Sequence, residues 1–115
     1  MPGANEELRQ VSIGVSTADA ESVQLFYQFG DLLVRYADWQ EQEQEKKFFD
    51  VLAFRWQEFD NDAPRDDASY EVQNSSWLLA QAKAQEVAPE GYVHLRVCFN
   101  KQGVLDVISF QPQIG

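Results

Sequence analysis

The sequence predicts an α+β domain: a single antiparallel sheet of about six strands with one helix packed on one face, in the order β-β-β-β-α-β-β. Three observations carry this prediction. Hydrophobic residues alternate with period two through most of the first 60 positions, a stretch rich in Ala, Leu and Gln at 77–86 has helical composition, and two more alternating runs lie within 92–110. The length agrees, since 115 residues with 44% hydrophobic and 24% charged side chains can build one core and not two. The chain therefore reads as a single domain, 1–115, with no internal repeat and no linker.

Taking the elements in order, Val11, Ile13 and Val15 share one face of a first strand, and Ser16, Thr17, Ala18 and Asp19 follow as a turn. Val23, Leu25, Tyr27 and Phe29 form a second alternating set. Gly30-Asp31 then supplies a two-residue hairpin turn, and Leu32, Val34 and Tyr36 continue beyond it. The polar segment 37–47 reads as a long connection or a protruding hairpin tip, although its Glu and Gln also permit a helical turn. Phe48, Leu52, Phe54 and Trp56, with Asp50 on the same face, alternate with Phe49, Val51 and Ala53. A strand apolar on both faces is expected to be central. Residues 61–67 read as loop and 68–72 as a short extended piece. Asn74-Ser75-Ser76 offers N-cap side chains to a helix over 77–86 that turns Trp77, Leu78 and Ala82 toward the sheet. Pro89 and Gly91 end that helix. Val93, Leu95, Val97 and Phe99 point inward from a strand over 92–99, 100–103 is a turn, and 104–110 is the last strand. One helix covers only one face of the sheet. The other, rich in aromatics, is expected to be partly apolar and to serve as a binding surface or a homodimer contact.

Charge limits the partners. The formal net charge is −10, and residues 1–71 carry sixteen of the nineteen acids with six of the nine bases, whereas 72–115 carry three of each. Phosphate binding to nucleic acid needs clustered Lys and Arg, so direct nucleic-acid binding is not expected. A basic protein partner would instead be steered toward the acids, although an acidic surface also serves simply to keep a protein dissolved. No apolar run is long enough for a membrane span and the N-terminal residues do not form an export signal, so a cytoplasmic protein is expected. The lone Cys98 fits that reducing compartment, because it cannot form an internal disulfide.

Candidate chemistry is sparse. Asp60, Asp62, Asp66 and Glu71 fall at the first, third, seventh and twelfth positions of a calcium loop, but Pro64 takes the fifth position and Arg65 the sixth, where a sharp turn needs Gly. A solvated acidic loop is the expectation, with no metal. His94 and Cys98 lie on one face of a strand but are about 13 Å apart along it, too far for direct proton transfer. No glycine-rich phosphate loop occurs, so no cofactor and no catalytic set are expected. Acid–base work could use His94 with Asp50 or Asp106, but Arg35, Arg55 and Arg96 lie within strands and are equally placed to pair with those carboxylates across a sheet. The alternative functional set is a pocket on a concave sheet face where Asp50, Arg55 and His94 converge. Trp39, in a polar run beside Glu41, has the composition of an interface anchor, and Tyr70 repeats it within the acidic loop. Partner contact is thus expected at Trp39, Asp60, Asp62, Asp66, Asp67 and Tyr70.

Two segments, Leu32-Leu-Val-Arg-Tyr-Ala-Asp-Trp39 and Phe49-Asp-Val-Leu-Ala-Phe-Arg-Trp56, resemble those of small uncharacterised bacterial domains, some of which are similar to immunity proteins of polymorphic toxin systems. The resemblance implies an acidic, single-domain cytoplasmic protein that binds one toxin domain and blocks it, and the leading expectation is thus a non-enzymatic protein-binding module. An acidic face suits a basic nuclease, because it occupies the surface that would otherwise hold phosphates.

Overall fold

The computed structural model describes residues 6–18, 20–58, 68–99 and 102–110. Its strands are β1 (Glu7–Val11), β2 (Glu21–Gln28), β3 (Asp31–Ala37), β4 (Glu43–Phe48), β5 (Ala53–Glu58) and β6 (Ser69–Gln73), followed by helix α1 (Ser76–Ala84), a single 3-10 turn (Pro89–Gly91), β7 (Tyr92–Phe99) and β8 (Gly103–Phe110). The class is α+β with one helix, as expected, but the strands form two antiparallel sheets and not one. Five strands run in the order β1-β6-β7-β8-β5, and three in the order β2-β3-β4.

The division falls inside the stretch read as one central strand. Phe48 ends β4, the chain bends through 49–52 with Asp50 at a φ of 49°, and Ala53 opens β5 in the other sheet. Leu52 N–H then bonds to the Ile108 carbonyl of β8, while Val51 N–H bonds to Gly30 of the β2–β3 turn. Unbroken hydrophobicity from Phe48 to Trp56 thus reflects a crossing between two sheets that share a core. Consequently β5 is an edge strand and not a central one, and Asp50 stands on an exposed bend outside any strand.

The apolar face expected to lie open is covered by the second sheet. Leu32, Val34 and Tyr36 of β3 and Phe48 of β4 pack against Val93, Leu95, Val97 and Phe99 of β7 and Leu105 and Val107 of β8, and all are buried. Aromatic rings pin the two layers together: Tyr36 meets Phe99 edge-on at 5.5 Å, and Tyr27 meets Phe54 at 5.4 Å. Trp56 reaches Phe99 at 5.7 Å. Gly103 is required there, because a Cβ on it would lie 2.6 Å from the Trp56 ring. Burial, with Asp38 nearby, pushes the Tyr36 phenol up to about 12, and its hydroxyl donates to the Ser16 carbonyl. The sheet face expected to lie bare is therefore filled by this chain itself.

Boundaries elsewhere differ in smaller ways. The first strand is β1, over Glu7–Val11 and not 11–15, and it pairs with β6 at the sheet edge. In the first hairpin the turn residues are Phe29 and Gly30, at φ of 53° and 83°, one position earlier than expected. That pair of positive angles makes a type I′ turn, whose twist matches the flanking strands. The polar segment is a hairpin tip plus a real strand, β4, whose Glu43, Glu45 and Lys47 face solvent while Phe48 enters the core.

Candidate functional site

The outer face of the five-stranded sheet carries the most connected polar group. Strand alternation puts Val93, Leu95, Val97 and Phe99 into the core, so His94, Arg96 and Cys98 point the other way, toward the side on which α1 packs. Register then aligns Arg55 of β5, Asp106 of β8, Arg96 of β7 and Tyr70 of β6 in one row across four strands. Asp106 is the hub: its Oδ1 accepts from His94 Nε2 at 2.6 Å and from Arg96 Nε at 3.0 Å, and its Oδ2 from Arg55 Nε at 3.4 Å. Burial alone would push the Asp106 carboxyl up, but the His94 hydrogen bond and the Arg96 guanidinium outweigh it and hold the group below its ordinary value. Asp106 is ionised at neutral pH.

An ionised carboxylate can only accept, so His94 donates to it through Nε2. In the neutral ring the remaining nitrogen, Nδ1, takes the hydrogen of the Ser75 hydroxyl, 2.7 Å away. Ser75 sits between β6 and α1, where Asn74 turns the chain at a φ of 57°, and its Oγ also accepts the Leu78 N–H as helix N-cap. Trp77 lays its ring edge-on to His94 at 5.0 Å, and the Arg55 guanidinium lies over the Trp77 indole at 4.2 Å. An open cleft of about 360 Å³ lies beside the cap, with Ser75, His94, Leu78 and Tyr92 in its walls.

A Ser–His–Asp line invites comparison with a nucleophilic triad, and the bonding argues against it. Ser75 Oγ is committed to the Leu78 N–H, the residue is buried, and the Ser76 N–H that could stabilise an oxyanion beside it is already taken by the Glu6 carboxylate at 2.9 Å. The same Glu6 contact holds that carboxyl below its ordinary value. What the line does is fasten the start of α1 to the sheet. Among the described residues no group of three or more His, Cys, Asp or Glu could hold a metal ion.

Of the residues expected to form a pocket, Arg55 and His94 do meet, both on Asp106. Asp50 does not join them; its N–H faces Asp31 Oδ1 at 3.4 Å, beside the other sheet's hairpin turn. Of the expected partner contacts, Trp39 is 61% exposed at the β3–β4 turn, whereas Tyr70 lies on the outer face of the other sheet. Asp60, Asp62, Asp66 and Asp67 lie outside the described residues. The tip that bears Trp39 is stiff: Asp38 Oδ1 accepts the N–H groups of Gln40 and Gln42, both at 2.9 Å, and Asp38 Oδ2 accepts from the Gln44 side chain. These bonds, led by that of Gln42, hold the Asp38 carboxyl below its ordinary value.

A second surface is absent from the expectations. Phe29 at the β2–β3 turn is 94% exposed, and Phe26 and Phe49 are each 47% exposed. Phe49 is tied to that end through the 49–52 bend, whose Val51 N–H bonds to Gly30, while Phe110, at 41%, bonds the Phe49 carbonyl through its N–H but sets its ring edge-on to Tyr92. Phe29 could have been found in the sequence, because a Phe before Gly in a hairpin turn breaks the usual turn chemistry. No helix among the described residues is long and apolar enough to cross a membrane. No protein-family model, curated protein or solved structure matches the chain.

Proposed function

We propose that this protein is a small acidic module that binds another protein, and that its partner is a basic, nuclease-like toxin domain which it blocks as an immunity-type inhibitor. The observation that carries the binding reading is Phe29. An aromatic ring at positive φ with 94% of its surface in water costs the fold twice, once in backbone strain and once in exposed apolar area. Such a departure from local rules is expected where a residue serves a contact rather than the fold. Phe26 in β2 and Phe49 at the 49–52 bend are half exposed and offer further apolar anchors, and the net charge of −10 favours a basic partner. Trp39, on its stiff acidic tip at the far end of β3, supplies a second anchor.

The test is capture from the host lysate on the immobilised protein at low and at high salt, with Phe29→Ala and Trp39→Ala proteins alongside. One basic protein retained in stoichiometric amount, released by salt and lost with Phe29→Ala supports the reading. Retention by Phe29→Ala but not by Trp39→Ala moves the contact to the other tip, and an empty column on the wild-type protein overturns the module.

A further inference from the structure

Ion pairing around Asp106 differs from that elsewhere among the described residues. Elsewhere among the described residues each paired cation has a carboxylate of its own or more than one: Arg9 has Glu71, Lys47 has Asp31, and Arg35 has both Glu43 and Glu45. On the outer face two guanidinium groups and an imidazole share the single carboxylate of Asp106. Glu6, whose carboxylate is bonded to Ser76, is the next acid near His94 and Arg96, so the two guanidinium groups have one directly paired carboxylate between them.

The two arginines are also set up for a further acceptor. Their strands are separated by β8, which puts their backbones roughly 10 Å apart, yet both side chains converge on the two oxygens of one carboxylate. Each makes its closest approach through Nε, so Nη hydrogens of both remain, and no described residue other than Asp106 accepts from either group. The side chains are 52% exposed for Arg55 and 31% for Arg96, so their outer edges reach solvent. Both are held in place beforehand. Arg55 is stacked on Trp77, Arg96 is tied to Asp106, and Asp106 is fixed in turn by the buried His94. A pair of fixed guanidinium forks is the arrangement that recognises a carboxylate or phosphate oxygen pair.

We propose that Arg55 and Arg96 form an oxyanion-binding site on the outer face of the five-stranded sheet, which takes a phosphate or carboxylate group bridging the two guanidinium groups above Asp106. The site is independent of the protein-binding reading, because it uses neither the phenylalanine end nor the acidic tip. Trp77 reports on it, since an anion drawn to Arg55 alters the cation stacked on the indole.

The experiment titrates the full chain with inorganic phosphate and, separately, with acetate, at constant ionic strength held with chloride, and follows tryptophan fluorescence and calorimetric heat. Saturable binding of either anion that weakens at least tenfold in Arg55→Gln supports the site, and the anion that binds identifies the group. Arg35→Gln, which removes an exposed arginine already paired with two glutamates, is the control and should bind as wild type. Arg96→Gln should match Arg55→Gln if it folds; Arg55, being half exposed, carries the test if it does not. No saturable binding of either anion, or equal weakening in Arg35→Gln, overturns the proposal.

Discussion

Asp106 shows how one residue's environment sets a measurable property. Its folded-state carboxyl titrates below the ordinary value, so its contribution to stability is fully present above that ordinary value and is lost as the pH falls through the folded one. Asp106→Asn is expected to lower the unfolding free energy by about 1–3 kcal/mol at neutral pH, because it removes the charge that three donors share. The deficit should close in acid, where the wild-type carboxyl is itself neutral. Urea unfolding of both proteins at neutral and acid pH measures this, and a gap of the same size at both would mean that shape, not charge, is what the site needs. Of this site, the salt-bridge partners were legible in the sequence: Arg55, Arg96 and Asp106 all lie in strands where pairing across a sheet is possible. Ser75 was legible only as a helix cap. Its second bond, to His94, depends on which end of β7 the helix start meets, and no local pattern encodes that.

At the scale of the element, the first hairpin combines a strongly encoded structure with one residue that opposes it. The alternation of Leu25 and Tyr27 against Leu32 and Val34 fixes the register, and the type I′ turn needs two positive φ angles. Gly30 meets that need without strain; Phe29 does not. Phe29→Asn places the favoured residue before Gly30 and buries nothing less, and is expected to raise stability by about 0.5–1 kcal/mol. The same change should abolish partner capture, which separates a contact role from a folding role in one protein. A loss of stability on unfolding in urea would show instead that the Phe29 ring packs in a way its exposure does not reveal. Helix α1, β7 and β8 were legible nearly to the residue, since strong helix formers, a serine cap and clean alternation all agree there. The polar β4 was harder to read because an edge strand with one solvated face needs few apolar residues, and Gln and Glu have low strand propensity.

The two-sheet architecture is the part least legible locally, because nothing within Phe48–Trp56 marks where the chain leaves one layer for the other. A fully apolar run satisfies a central strand and a crossing between two layers of one core equally well. Only the count of apolar faces distinguishes them: β7 and β8 need a cover that one nine-residue helix cannot supply on both sides. Charge acts at this same whole-molecule scale, and it yields two salt effects of opposite sign. With nineteen acids against nine bases the folded chain repels itself, and its exposed ion pairs, such as Arg35 with Glu43 and Glu45, are worth about 0–1 kcal/mol each. Raising ionic strength from about 0.01 M to 0.15 M shortens the screening distance from about 30 Å to about 8 Å, which damps the long-range repulsion more than contacts at 3 Å. The Tm is therefore expected to rise with added sodium chloride, while the association rate with a basic partner falls by about tenfold or more over the same range. Thermal scans and stopped-flow association in one salt series check both. A Tm that falls would assign the stability to the exposed pairs, and an association rate indifferent to salt would leave the phenylalanine end, and not the acids, as the determinant of encounter.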